Sequence, residues 1–296
     1  MKVLELLSPS QWHPLLAEHE ARAEELTRGH RERRNAGRIH PVWDFLFNYY
    51  PIKPAILARW HPGFGRALLI DDTEPPHVNW RDYHVIETVQ GPAVTVDGEA
   101  LWQRRGTAFN YILDLLQRTQ TNPAHFDCFG LHEWAMVYRT DTPRHSLPLR
   151  LGPEGTAAVV DSHHIRCTHY DAFRFFTEPA RPLNFRVLTR EDQPECDQRG
   201  CLHAGMDLYK WAYKLGPLVP GDVWLETFEL ARDIRQLDME ASAYDCRSVG
   251  LGVVPIETAE GKAEYVTRQR ALSQRGVPLR QNLIGVLSDF SSEFGS

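Results

Sequence analysis

Apolar residues recur every three or four positions over most of this chain, and that spacing predicts a mainly helical fold. Ser8-Pro9-Ser10 opens the first stretch, in which Trp12, Leu15, Leu16, His19, Ala23 and Leu26 share a face until Gly37. Pro41 opens a second, an aromatic run over 42–50 that Pro51 and Pro54 break, with one further helical turn over 55–60. The helical period returns over 99–117, where Leu101, Phe109, Ile112, Leu113 and Leu116 form the apolar side, and again over 126–138, 202–215 and 222–243. Thr156 reads as the cap of a short helix ending at Ser162. Stretches 259–274 and 278–290 complete a helical C-terminal section.

Residues 66–98 interrupt the pattern. Asp71-Asp72 and Pro75-Pro76 mark a loop, and the runs 83–89 and 93–96 around Gly91-Pro92 predict a small β-hairpin near residues 80–97. The run 165–176 fits a strand or a helix equally well, and 178–199 reads as a polar loop. The sum is one mainly helical domain over 1–291, with 292–296 expected to be a disordered, dispensable tail.

The 296 residues suffice for a sizeable core, and 42% hydrophobic against 24% charged is a globular balance. No apolar run approaches the roughly 18 residues that span a bilayer. The first seven residues are too short and too acidic for a secretory signal, so no membrane partner and a cytoplasmic location are expected. A net charge of −6 and a pI near 6.2 disfavour a nucleic-acid partner without forbidding a local basic patch. The run Arg28, Arg31, Arg33, Arg34 and Arg38 is such a candidate patch, or a solvated helix end favoured by the helix dipole. The five cysteines lack a C-x-x-C pair, which fits free thiols rather than a Cys-rich zinc site.

The middle of the chain carries the chemistry. His132 and Glu133 fall on an apolar stretch, with His163, His164, His169 and Asp171 beyond it. His203 and Asp207 lie four apart, on one helix face with Lys210 further along. Two chemical readings suit these residues. In the first, carboxylates and histidines from facing helices hold a divalent metal such as Zn or Fe, with His169, His203, Asp207 and Glu229 as ligands; Glu-x-x-His, the pair favoured by di-iron bundles, is absent here. In the second, no metal is needed. Glu133, His169, Asp171, His203 and Asp207 act as general acids and bases on a small molecule or nucleobase, with His132, Trp134, Tyr138, Tyr209, Lys210 and Trp211 binding a planar substrate. A non-catalytic ligand-binding protein that uses the same residues for packing is the third possibility. Several histidines and acids inside apolar segments are costly to bury without a purpose, which favours a site.

The turn Trp60-His61-Pro62-Gly63-Phe64-Gly65-Arg66 has the Pro-Gly-x-Gly form of a helix-hairpin-helix module, with Asp82 some twenty residues on. The turn leads into an acidic, proline-bearing loop instead of a helix, so a plain tight turn is expected.

Long strings then point to a family. His40-Pro41-Val42-Trp43-Asp44-Phe45-Leu46-Phe47, Arg59-Trp60-His61-Pro62-Gly63, Cys128-Phe129-Gly130-Leu131-His132-Glu133-Trp134-Ala135-Met136-Val137-Tyr138-Arg139, the segment 165–176 and Leu202-His203-Ala204-Gly205-Met206-Asp207-Leu208-Tyr209-Lys210-Trp211 resemble a largely actinobacterial family often labelled 3-methyladenine DNA glycosylase. The resemblance implies an N-glycosylase of alkylated nucleobases. Such an enzyme flips a base into an aromatic pocket, with Glu133, Asp171 or Asp207 as its carboxylate and the 28–38 arginines on phosphates.

Overall fold

The computed structural model describes residues 4–295. Its elements in chain order are β1 (Glu5–Leu7), α1 (Pro9–Asn35), α2 (Phe45–Tyr49), α3 (Pro54–Leu57), β2 (Arg66–Leu69), β3 (Tyr83–Thr88), β4 (Gly91–Val96), α4 (Gly98–Thr121), α5 (Leu131–Ala135), α6 (Gly152–Asp161), α7 (Tyr170–Phe173), α8 (Gln193–Cys196), α9 (Leu202–Leu215), α10 (Gly221–Glu240) and α11 (Ala259–Phe294). The fold is mainly helical, as the spacing of apolar residues predicts.

The long helices begin where the sequence supplies caps. Pro9 occupies the first turn of α1, and the Gln11 side chain accepts from Ser8 N at 2.8 Å. Asp97 caps α4 through Ala100 N at 3.0 Å, and Thr258 caps α11 through Gly261 N. α9 packs between α10 and α11, and α4 packs on α11. Gly205 allows the α9–α10 approach, since a Cβ there would lie 3.0 Å from Ile234 Cδ1. Leu101, Phe109, Leu208, Leu230, Leu283 and Phe290 fill the centre of this bundle and are fully buried, each worth roughly 1.5–3 kcal/mol of hydrophobic stabilisation. Among the described residues no helix is long and apolar enough to cross a membrane.

The expected hairpin is β3–β4, paired antiparallel from Tyr83↔Val96 to Thr88↔Gly91. It belongs to a four-stranded mixed sheet of order β1-β2-β4-β3, in which β1 runs parallel to β2. β1 and β2, at three and four residues, are too short for alternation to be read. The Pro62-Gly63-Phe64-Gly65 turn leads directly into β2, so no second helix exists to complete a helix-hairpin-helix module.

Several local expectations are corrected. The helix expected over 126–138 shrinks to α5. Thr156 does not cap α6 but lies inside it, donating to Gly152 O at 2.7 Å. Pro278 does not divide the C-terminal section, because α11 continues through it. The segment 292–294 is no loose tail: it ends α11, and the Phe294 ring packs 5.0 Å from that of Phe290 and 6.2 Å from that of Phe64. The ambiguous run 165–176 is both things in turn, a parallel bridge at Ile165↔Asn184 and then α7. The polar stretch 178–199 contains a 3-10 turn (Glu178–Leu183) and α8.

Candidate functional site

Four segments bring the chemistry together. Gly130 enters α5 with φ +74°, close against Ala241 and Tyr265, and this tight entry sets His132 and Glu133 facing α10. α9 presents His203, Asp207 and Lys210 at helical spacing. α10 presents Arg235 and Asp238 one turn apart. The His169 segment is clamped by Asn184, whose side chain accepts from Cys167 N at 2.8 Å and donates to Cys167 O at 3.0 Å.

Two groups of converging ligand atoms result: His132, Glu133, His203 and Asp238, and His169, Asp171 and Asp207. Within each group these atoms lie within 4.8 Å of one another. In the first, Asp238 accepts from His132 Nε2 at 2.8 Å and from Arg235 at 3.1 Å, with His203 Nε2 3.9 Å away. Arg235 also reaches Glu133 Oε1 at 3.4 Å and stacks over the Phe45 ring at 4.0 Å. In the second, His169 Nδ1 meets Asp197 Oδ1 at 2.8 Å, and its Nε2 lies 3.6 Å from Asp207. Asp207 accepts from Tyr50 Oη at 2.9 Å and from Lys210, which also lies 3.4 Å from Asp171. His203 joins the groups: its ring centroid is 4.6 Å from that of His132 and 5.7 Å from that of His169.

Electrostatics give these side chains different states. Burial pushes the His132 imidazole down, but Asp238 and Cys128 outweigh it and hold His132 well above the usual histidine range. Burial opposes the Asp238 charge too, yet His132, His203 and Arg235 hold its carboxyl well below the usual carboxylate range. Burial and then the Asp238 charge push Glu133 up to about 7, against the pull of Arg235. Asp197 and Asp207 likewise overcome burial to raise His169, while Lys210 and His169 lower Asp207. Burial drives His203 down to about 3; Asp238 opposes this, and the positive charges on His132 and His169 add to it. His203 is therefore neutral, and among the described residues its ring makes no hydrogen bond within 3.5 Å.

A slot of about 120 Å³ opens onto this network. Phe45, Tyr49, Phe175 and Tyr244 supply aromatic walls, and Glu133, Asp171, His203, Arg235, His145 and Arg144 supply polar edges. Behind His203 is a second, smaller space of about 20 Å³, room for about one water, bordered by His132, Cys128 and Cys201.

The residues expected from sequence divide accordingly. Glu133, Asp171 and His203 face the slot; His132, His169, Asp207 and Lys210 stand behind it as its buried ionic support. The other expected substrate contacts lie elsewhere. The Trp134 indole is fully buried and donates to Ala241 O at 2.8 Å. Tyr138 bonds Asp161, Tyr209 is a core ring stacked on Trp224, and Trp211 lies under Lys210 and Lys214. Glu229 joins neither ligand group, because Arg22 of α1 holds it through two hydrogen bonds. Its neighbour Asp233 is likewise taken, by Arg275 at 2.8 Å. The basic run is partly committed as well: Arg33 is paired with buried Asp44 and Arg31 with Glu24, leaving Arg28, Arg34 and Arg38 without such partners among the described residues.

Sequence reading missed Asp238, Arg235, His145 and Asp197. The signal for the first two was present: two opposite charges three apart, next to the apolar positions Ile234, Leu237 and Met239 of the same helix. Comparison of the chain with protein-family models, with curated proteins and with solved structures finds no match to any of them.

Proposed function

We propose that the chain is an enzyme that moves protons at a small planar, base-like substrate held in the slot, with Glu133 and His203 as its reacting groups. The observation that carries this reading is the pairing of two buried groups in different states at one cavity. Glu133 is an acid poised near neutrality, and His203 is a neutral imidazole with no hydrogen bond of its own among the described residues. Groups whose environments push their pKa values apart suit acid and base roles in one reaction. The walls of Phe45, Tyr49 and Phe175 suit a flat ring, and Arg235 and Arg144 suit its electron-rich edge.

The family resemblance supplies a named form, an N-glycosylase of alkylated nucleobases. In that reaction a water oxygen bonds to the anomeric carbon while the C–N bond breaks with its electron pair on the base. His203 takes the water proton and Glu133 gives its proton to the departing ring. Asp238, held between His132 and Arg235, lies 3.9 Å from His203, and Arg235 reaches Glu133 at 3.4 Å. The test is chromatographic detection of free base released from alkylated DNA and from alkylated nucleosides. Release by the wild-type protein, reduced about 100-fold or more in Glu133→Gln, is expected. No release from either substrate overturns the named form.

A second reading rests on the convergence of His132, Glu133, His203 and Asp238 within 4.8 Å. Such a set is compatible with a Zn- or Fe-dependent oxidoreductase or hydrolase. Arg235 and Lys210 already neutralise the two carboxylate groups, which is why the metal-free reading stands first. Elemental analysis of protein purified without chelator separates the two: near-stoichiometric metal that His132→Ala abolishes supports the second reading, and full activity without metal rejects it.

A further inference from the structure

A larger cavity lies toward the opposite end of α9, lined in part by Tyr213 and Gly216. Ten residues of helix separate Tyr213 from His203, about 15 Å along the axis. We propose that this cavity binds a ligand that joins a planar ring to a phosphate, of the nucleoside monophosphate class.

Charge selects an anion. Three guanidinium groups line the cavity, those of Arg59, Arg81 and Arg105, and among the described residues none of them has a carboxylate partner. The single acidic side chain in the lining, Asp82, is already held by Arg104. Arg105 is half-buried with its guanidinium over the Phe109 ring at 5.2 Å, so it has partly left water while Asp82 acts on it only from beyond ion-pair distance. Lys214 nearby titrates low, from burial first and then from the fields of Lys210, Arg190 and Arg105 against that of Asp207, which adds a further cation beside the cavity. In a chain of net charge −6 such a lining is a local inversion of the whole-molecule field.

Shape narrows the class of anion. The cavity measures about 420 Å³, within the range of sites for small organic ligands and larger than inorganic phosphate needs. Its walls include Trp80, beneath Arg59 at 5.7 Å, and the stacked pair Tyr213 and Trp224. Guanidinium groups bind phosphate oxygens in pairs, and indole and phenol faces bind flat rings. The two features together select a molecule that carries both.

The test is calorimetric titration of the full chain with AMP, GMP, CMP and UMP, and with the four corresponding nucleosides and inorganic phosphate as partial ligands. At least one nucleotide is expected to bind saturably, with its nucleoside and phosphate each about tenfold weaker or more. Arg105→Ala is expected to weaken that nucleotide about tenfold or more, and Arg105→Lys by less, because the ammonium keeps the charge but cannot form the paired contact. Exposed Arg81→Ala gives the same direction if the Arg105 variants fail to fold. Absence of saturable binding by all four nucleotides overturns the proposal, as does wild-type affinity in the arginine variants. Binding lost in Glu133→Gln instead would place the ligand in the slot, and binding of a single-stranded oligonucleotide alone would make the cavity a strand contact; either result overturns it too.

Discussion

The rings of His132 and His203 meet edge to face with centroids 4.6 Å apart, yet their surroundings drive them to opposite protonation states. Both rings are pushed down by burial; His132 keeps a proton because Asp238 at 2.8 Å outweighs that burial, and His203 loses one because burial and the charges on His132 and His169 outweigh an Asp238 oxygen 3.9 Å away. A carboxylate in direct hydrogen-bond contact offsets burial for one ring, and the same carboxylate about an ångström further away does not for the other. Nitrogen-detected NMR at pH 7 is expected to show His132 doubly protonated and His203 as a single tautomer. Asp238→Asn should lower the His132 titration and leave His203 neutral. A neutral His132 in the wild type would contradict this picture.

The state of Glu133 links function to stability. Its carboxyl ordinarily titrates at 4.5 and in the folded chain at about 7, so between those values the folded state holds the extra proton. That contribution is complete below 4.5 and is lost as pH rises through 7. Glu133→Gln removes it, so the variant should gain stability over wild type as pH rises from 4.5 to 7, by up to about 1.4 kcal/mol for each unit of pH, and keep a constant advantage above 7. With Glu133 in the proposed role of proton donor, the wild-type rate should fall above pH 7 as its carboxyl ionises. Thermal melting across this range checks the first statement. A variant that loses stability equally at every pH would show that Glu133 serves packing alone.

Acid should unfold the protein by the opposite linkage. His61, His77 and His203 are buried and neutral, lowered to about 3, 4 and 3, first by burial. For a group lowered on folding, stability is present above the unfolded value of 6.5 and lost as pH falls toward the folded value. Each contributes a loss of about 1.4 kcal/mol per unit through that window. Melting temperatures should decline steeply from pH 6.5 to 4, and His203→Gln should make the decline shallower. A flat profile over this range would mean that these rings are not held neutral.

Asp207 anchors the second group. It binds Tyr50 at 2.9 Å and Lys210, with His169 nearby. Asp207→Ala leaves Lys210 and His169 without their shared carboxylate, and a loss of about 3–5 kcal/mol is expected. Tyr50→Phe removes one hydrogen bond to a charged group and should cost about 1.5–3 kcal/mol. Chemical denaturation of both variants measures these values. A loss below about 1 kcal/mol for Asp207→Ala would mean that water already compensates the pair.

Much of this fold is legible in the residues. The periods behind α1, α4, α9 and α10 and the turn at Gly91 are local properties, and the structure contains them all. The illegible parts have physical causes. Pro278 breaks an isolated helix, but flanking buried positions such as Leu272, Leu279 and Leu283 hold α11 continuous through it. The 126–138 stretch has a helical apolar pattern, yet Phe129 and Gly130 adopt positive φ and restrict the helix to five residues. For the site, single residues such as His132, His169 and Asp207 stand out by their chemistry. Their partners do not, because Asp238, Asp197 and Tyr50 come from 28 to 157 positions away in sequence. Glu229 stands out in sequence as a possible ligand, but only packing reveals that Arg22 already occupies it.

The most direct measurement is release of free base from alkylated DNA by the wild-type chain and by Glu133→Gln, with Asp207→Asn as a test of the supporting network. Wild type is predicted to release base, Glu133→Gln to release it more slowly by about 100-fold or more, and Asp207→Asn to show an intermediate loss. Release that is absent from wild type, or equal in all three proteins, would contradict the assignment of Glu133 as the proton donor of an N-glycosylase.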